Sequence, residues 1–311
     1  MNKSPKVSIL LRNLNESENL KILFDLLNKQ TYNNFEVIFL DSGSSDNSVE
    51  VAEKFESKYR ISINHINKSE FTFGRALNKC IKYSDSPKYV ISLSAHCFPV
   101  DVNFIKNYID LFQNSNAQII YGKQSGYKYS RLSEASHLNS WFGSNYGIQL
   151  NNPFTNNGNC GYDVDIFKKF EFNEELTGCE DINLASNILS NEGEIIYGNN
   201  IEVQHFHEEN YKTIYYRYFR EALALNKIYP YNFKKRKFIY LFITESIRDI
   251  SLKFKSNSFK SRGIDKILAY RFVKNLAHLK GFKEKNVSTN DIYNYLKEDN
   301  MSKNFYKHYF N

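Results

Sequence analysis

The first hundred residues alternate short apolar runs with helix-patterned ones, and this alternation restricts the fold more than any other feature of the chain. Val7–Leu11, Phe35–Leu40, Ile61–Ile66 and Tyr89–Leu93 read as buried strands, apolar runs bounded by polar turns. After the first, Asn15-Glu16-Ser17-Glu18 offers a cap and an acidic first turn, followed by Leu20, Leu23, Phe24, Leu26 and Leu27 at helical spacing. Ser48–Tyr59 and Gly74–Tyr83 read as two further helices. A β-α-β-α-β-α-β order predicts a parallel sheet with helices on its faces. Ligands of such sheets sit beyond the carboxyl ends of the strands, where Asn15, Glu16, Asp41 and His96 fall.

The decapeptide Val90-Ile-Ser-Leu-Ser-Ala-His-Cys-Phe-Pro99 sharpens that expectation. An apolar strand runs into a polar tip where Ser94 and His96 alternate, and Pro99 forbids the strand from continuing. A His at the tip of such a strand is placed to bind a ligand or to act as an acid or base. The plainer reading is a turn with an incidental His. Asp41, ending a strand in Leu-Asp-Ser-Gly-Ser-Ser-Asp, can accept hydrogen bonds from a base or ribose. Its plainer role, capping the next helix, suits Asp46 better. Arg75 follows a glycine at a helix start, a place that suits a phosphate, although a solvated Arg is the commoner occupant.

From 100 to 210 the pattern is less regular. Asn-rich loops at 151–153 and 156–159 precede Gly178-Cys179-Glu180-Asp181, which opens a helix running to Leu189. Both carboxylates are expected to be exposed and held there, as a base that deprotonates an alcohol must be. Acidic residues also favour helix N-termini for purely local reasons. Strands near Ile195–Tyr197 and Ile201–Gln204 lead to His205-Phe206-His207, whose two imidazoles are expected on opposite faces, one reaching the cleft.

Charge divides the chain. Residues 1–210 carry 19 Lys/Arg against 26 Asp/Glu, and residues 211–311 carry 22 against 8. The later part reads as helical, aromatic and basic, densest at Lys234-Lys235-Arg236-Lys237, and so faces something anionic. An ordinary solvated helical extension has the same composition. No recognisable nucleic-acid motif accompanies the charge, which ranks RNA last among partners. No apolar run approaches the roughly 20 residues of a membrane span. The first strand begins almost at the N-terminus, so no signal peptide is expected. Cys80, Cys97, Cys160 and Cys179 lack metal-ribbon spacing. A cytoplasmic protein, peripheral on the inner membrane face, is the expectation.

Taken in order, Leu-Leu-Arg-Asn-Leu-Asn-Glu, Glu-Val-Ile-Phe-Leu-Asp-Ser-Gly-Ser-Ser-Asp, Phe-Gly-Arg-Ala-Leu-Asn, Ser-Ala-His, Gly-Cys-Glu-Asp and Val-Gln-His-Phe-His resemble a family-2 glycosyltransferase of the GT-A fold, over roughly residues 6–225. Within the family the chain is most similar to the bacterial rhamnosyltransferase-like branch that builds surface polysaccharides. The resemblance implies an α/β fold with a Rossmann-like mixed, mainly parallel sheet. It implies a catalytic domain over 1–210 (nucleotide half 1–100, acceptor half 101–210) and a basic helical extension over 211–311. It implies that Asn15, Glu16 and Asp41 hold the nucleoside, Asp41 at the base, with Arg75 helping. Ser94, Ala95 and His96 stand where the family has its D-x-D motif. Asp181 becomes the general base of an inverting displacement, with Glu180 beside it positioning the acceptor, and His205 or His207 approaches the metal or diphosphate. Trp141 and Asn157 fall on the acceptor side.

The departure from D-x-D matters, because Ser94 and His96 replace two carboxylates. Neutral imidazoles suit Mn²⁺ better than Mg²⁺. Protonated His96 acting on the diphosphate without metal is the other way to stabilise the leaving group. The expected donor is a nucleoside-diphosphate sugar of the UDP or TDP type, and the acceptor a glycan, lipid-linked at an anionic membrane. The competing function is a nucleotide-sugar or glycan-binding module that has lost catalysis with its D-x-D carboxylates; retention of Glu180-Asp181 argues against it.

Overall fold

The structure is a computed structural model describing residues 4–284 apart from 144–146, 150, 208, 231, 256, 258 and 260–262. It contains two compact units. The first takes the chain up to Tyr127, Leu138–Glu174 and Glu180–Phe206; the second takes Lys128–His137, Glu175–Cys179 and the chain from His207. The expected division at 210/211 therefore differs twice: the break falls after Phe206, and two internal segments join the second unit.

The first unit opens with the expected alternation: β1 (Val7–Asn13), α1 (Ser17–Asn28), β2 (Phe35–Asp41), α2 (Ser48–Lys54), β3 (Arg60–His65), α3 (Phe73–Tyr83) and β4 (Tyr89–Ser94). There follow β5 (Cys97–Pro99), α4 (Phe104–Gln113), β6 (Ile119–Gly126), α5 (Leu132–Trp141, shared between the units), β7 (Gly147–Gln149), β8 (Asn159–Asp163), α6 (Glu180–Leu189) and β9 (Ile195–His205). Among the described residues the strands form one sheet in the order β3-β2-β1-β4-β8-β6-β9-β5, with β7 also on β9. The longest ladders, β1–β2, β2–β3, β1–β4 and β6–β9, are parallel, and β8 runs antiparallel between β4 and β6.

Successive strand residues enter opposite cores, which is why the strands are apolar throughout. Ile9, Leu11, Phe39 and Ile91 pack with Leu20 and Phe24 of α1 and Tyr108 of α4. Leu10, Ile38, Leu40 and Val90 pack with Leu77 of α3 and Leu184 of α6.

Four boundaries differ from the sequence reading. Helix α2 stops at Lys54 instead of reaching Tyr59, because Phe55 turns extended and lets the Tyr59 ring pack, tilted, on Phe35 with centroids 4.7 Å apart. Strand β3 is Arg60–His65, one residue early at each end. Pro99 does not end the extended path at the Ser-Ala-His tip. The chain resumes as β5 and Pro99 closes it at the sheet edge, where a missing N–H is tolerated. The two strands expected over 195–204 are one, β9, carried past Gly198-Asn199-Asn200 by a register shift between Gly122 and Lys123. A Cβ on Gly122 would stand 2.2 Å from the Ile201 carbonyl oxygen, so the shift needs glycine there.

The second unit holds α7 (Tyr211–Ile228), α8 (Lys235–Lys255) and α9 (Ile264–Gly281). Ile214, Tyr218, Phe219, Leu223, Tyr270 and Ala277 form its apolar centre. Residues 285–311 of the expected extension lie outside the described residues. Among the described residues no helix is long and apolar enough to cross a membrane.

Candidate active site

Parallel pairing brings the ends of β1, β2 and β4 to one edge of the sheet: Asn13 faces Asp41, and Arg12 faces Ser94. Asp41 is buried and fully engaged there. Its Oδ1 accepts from Asn13 Nδ2 (2.9 Å) and Ser44 Oγ, and its Oδ2 from the Gly43 and Ser44 amides (both 2.9 Å). Gly43 takes φ +91°, which lets the loop curl over that carboxylate. Asn15, at φ +57°, clasps the neighbouring loop, its Oδ1 accepting from the Ser45 amide at 2.7 Å. Asp46 stands one residue before the N-cap position, Asn47, and accepts from the first α2 amide, Ser48, at 2.9 Å and from the Ser17 amide at 3.0 Å.

At the β4 tip, Ala95 is buried and Ser94 and His96 are half-buried. The His96 imidazole donates from Nδ1 to Glu16 Oε1 at 2.8 Å, while Asn19 holds the other carboxylate oxygen at 2.6 Å. Glu16 thus orients His96. His205, closing β9, stacks on His96 with centroids 5.1 Å apart and planes at 16°. Its Nδ1 meets Gln124 Oε1 at 2.7 Å, and Gln124 in turn donates through Nε2 to Asn156 Oδ1 at 2.8 Å. The amide orientation makes Oε1 the acceptor, so both imidazoles carry their proton on Nδ1 and keep the lone pair on Nε2. This outer-shell arrangement is the one that metal-binding histidines use. His207, two residues along the chain from His205, begins the last segment of the second unit. Strand β9 ends at His205, so the alternation expected of the two later histidines does not extend to His207.

Glu180 and Asp181 open α6, and both are buried, not exposed. Cys179, just before them, adopts φ +56°, a strained conformation for a residue with a Cβ. Asp181 Oδ2 accepts from the Asn157 amide at 2.7 Å and Oδ1 from the Ile182 amide at 2.8 Å. Burial, then the adjacent Glu180 carboxylate, push the Asp181 carboxyl up to about 7. Glu180 Oε1 is held by Asn157 Nδ2 at 3.0 Å and Arg12 Nη1 at 3.2 Å, and Asn157 Oδ1 accepts from Tyr162 Oη at 2.7 Å. Asn157, expected on the acceptor side, is therefore the direct partner of both carboxylates.

Arg75, expected at a phosphate, gives its Nε to Glu174 Oε2 at 2.7 Å and its Nη1 to the Glu70 carbonyl at 2.8 Å. Trp141 ends α5 half exposed, its ring edge on Phe154 at 5.6 Å. Arg12, Asn13, Gln124 and Tyr162 were not singled out from the sequence. Arg12 left a signal, a charge interrupting an apolar strand; the other three did not.

Comparison with known proteins accords with this geometry. The model of Glycosyl transferase family 2 matches residues 8–171, more than half of the chain. The O-antigen chain rhamnosyltransferase WbaN of Salmonella anatum is 24% identical over 63% of the chain and 64% of its own length. RfbN of Salmonella typhimurium, also an O-antigen chain rhamnosyltransferase, is 21% identical over 69% of the chain and 70% of its own. The chain thus spans just under two thirds of the first of these relatives. Among solved structures, the mannosyltransferase PcManGT of Pyrobaculum calidifontis, in complex with GDP-Man and Mn²⁺, superposes with a TM-score of 0.59 at 13% identity, over 89% of this chain and 88% of that one. TarS of S. aureus superposes at 0.52 with 13% identity, over 88% and 90%. At such identities these structures establish the shared GT-A fold alone.

Proposed function

The chain belongs to glycosyl transferase family 2, and from that premise we propose that it transfers a sugar, with inversion, from a nucleoside diphosphate to a hydroxyl of a bacterial surface glycan. The observation that carries this reading is Asp181: a buried carboxylate, fixed by the Asn157 amide, whose proton affinity sits near neutrality. A base works best with a pKa near the working pH.

In the reaction, Asp181 takes the proton of the acceptor hydroxyl as its oxygen bonds to the anomeric carbon. The bond from that carbon to the diphosphate oxygen breaks, and its electron pair leaves with the nucleotide. Asn157 and Ile182 hold Asp181 in line, and Glu180, tied to Arg12 and Asn157, keeps the base's proton affinity high. The loops braced by Asn15 and Asp41 receive the nucleoside, Ser94, Ala95 and His96 meet the diphosphate, and Arg75 and Glu174 border the nucleotide at the start of α3. Trp141 stands toward the acceptor.

The stacked imidazoles of His96 and His205 fit a divalent first-row ion, and His96, His205 and His207 are its proposed ligands. A donor set without a carboxylate favours Mn²⁺ over Mg²⁺. When bound, the ion supplies positive charge to the departing diphosphate. The WbaN and RfbN names, both of O-antigen chain rhamnosyltransferases, support a deoxyhexosyl donor; a donor of the UDP or TDP type and a lipid-linked acceptor at the inner face of the membrane complete the proposal.

The test is Asp181→Asn. Transfer is expected to fall by about 10²–10⁴-fold, the worth of a positioned base, with nucleotide affinity measured by calorimetry nearly unchanged. Loss of nucleotide binding instead would remove Asp181 from the role of base.

A further inference from the structure

The second unit contains a helix turned inside out. The acidic residues of α8, Glu245 and Asp249, both face inward and are buried. Asp249 receives both Nε and Nη2 of the fully buried Arg271 at 2.7 Å, and Glu245 receives Lys274 Nζ at 2.6 Å and Asn275 Nδ2 at 2.9 Å, all from α9. Outward, Ile239, Tyr240, Ile243, Ile247 and Phe254 are exposed, from 49% for Ile243 to 78% for Phe254. At 100° per residue these five side chains span an arc of about 100°, the width of a face that ordinarily packs on a core. No acidic side chain interrupts it. Cations border it at both ends: Lys235, Arg236 and Lys237 in the first turn, Lys253 and Lys255 in the last. Lys237 lies 5.3 Å from the Tyr240 ring centre, and Lys253 lies 5.8 Å from that of Phe254. At the first end, Asn232, Lys234, Arg236, Lys237 and Tyr240 line a depression of about 500 Å³.

We propose that the outward face of α8 lies in the surface of an anionic bilayer, its isoleucines and aromatics among the acyl-chain ends and its terminal cations on lipid phosphates. An apolar arc flanked by Lys and Arg, with Tyr at its margin, is the pattern of an interfacial helix. The lined depression gives one phosphate three cationic neighbours. A second copy fits poorly. Both ends of the helix are basic, so a parallel or an antiparallel pairing of two α8 faces sets cation against cation. This inference gives the membrane side of the proposed transferase its contact surface, and rests on that reading only for its purpose, because vesicle binding is measured without sugar transfer.

The experiment is flotation of the full chain with vesicles of phosphatidylglycerol and phosphatidylcholine, and with pure phosphatidylcholine. Binding is expected to the anionic vesicles alone. Ile243→Asp with Ile247→Asp, and separately Arg236→Glu with Lys237→Glu, should each weaken it by tenfold or more, since each cation near such a surface is worth about 1 kcal/mol. These positions are exposed or half-exposed on a surface helix, so circular dichroism and melting temperature should stay as in the parent. Undiminished binding by both variants, or no binding by the parent, overturns the proposal. So does complete displacement by millimolar inorganic phosphate, which would mark a small-anion site. A parent that self-associates in light scattering, and disperses on Ile247→Asp, would assign the face to a second copy. Transfer to a soluble acceptor, read on the same samples, separates the two ideas: its absence beside intact vesicle binding counts against the transferase, not against docking.

Discussion

In the proposed reaction the chemistry turns on one proton, that of Asp181. Because its carboxyl sits near 7, it is mostly protonated and unable to act as a base below that pH. Transfer measured at saturating donor should therefore rise with pH through about 7 and level off above. Glu180→Gln removes the charge that, after burial, contributes most to the shift, so the acidic limb should move to lower pH. A limb that stays in place would assign it to another group. The same residue bears on stability. A carboxyl raised in the folded state is harder to ionise there than in the unfolded chain, so folding loses stability as pH rises from about 4 to 7. Asp181→Asn should raise the melting temperature at pH 8 more than at pH 5, by up to a few kcal/mol in stability. Some of this was legible in the sequence: Glu180-Asp181 announced a helix start with two carboxylates. Their burial was not, because it depends on Arg12 and Asn157, from distant parts of the chain.

Elements show the same division between local and distant causes. The strands and helices through β4 were readable because each is an apolar run or a helical stripe closed by polar residues. Gly198-Asn199-Asn200 reads as a turn, yet β9 runs through it, since what sustains the strand is a partner, β6, over seventy residues upstream. Helix α8 buries its two acidic residues, which nothing in its basic, aromatic composition indicates. Arg271 and Asp249 are fully buried as a two-bond pair between α9 and α8. Removing one partner of such a pair leaves a buried charge alone and costs about 3–5 kcal/mol. Arg271→Met should therefore destabilise by that amount in urea titration, whereas Arg271→Met with Asp249→Leu should recover most of it. A double variant as weak as the single would mean that the pair contributes through packing, not charge. Glu245 adds a pH signature. Burial alone would raise its carboxyl, but Lys274 and Arg271 more than reverse this and hold it at about 2. Its contribution is present above about 4.5 and is lost as pH falls toward 2.

At the scale of the whole chain, the two proposed functions would draw on two kinds of electrostatics. The candidate active site works through buried or half-buried groups: Asp41 and Asp181 held by backbone amides, His96 and His205 oriented by Glu16 and Gln124. Salt screens such contacts little. The cations of α8 are mostly exposed and act across solvent, where the Debye length shrinks from about 10 Å at 0.1 M salt to about 3 Å at 1 M. Raising salt from 0.05 to 0.5 M should therefore release the chain from anionic vesicles by tenfold or more while altering nucleotide affinity, measured with Mn²⁺ present, much less. The metal side has its own control. Gln124→Leu removes the acceptor that fixes His205 together with a hydrogen bond to Asn156, and loss of such an outer-shell partner weakens a metal site by 10–100-fold. Calorimetric titration of Mn²⁺ should show that loss, with vesicle binding untouched. If salt abolished nucleotide binding as strongly as vesicle binding, the phosphates would be held by exposed cations, and the imidazole cluster would lose its place as the diphosphate's counter-charge.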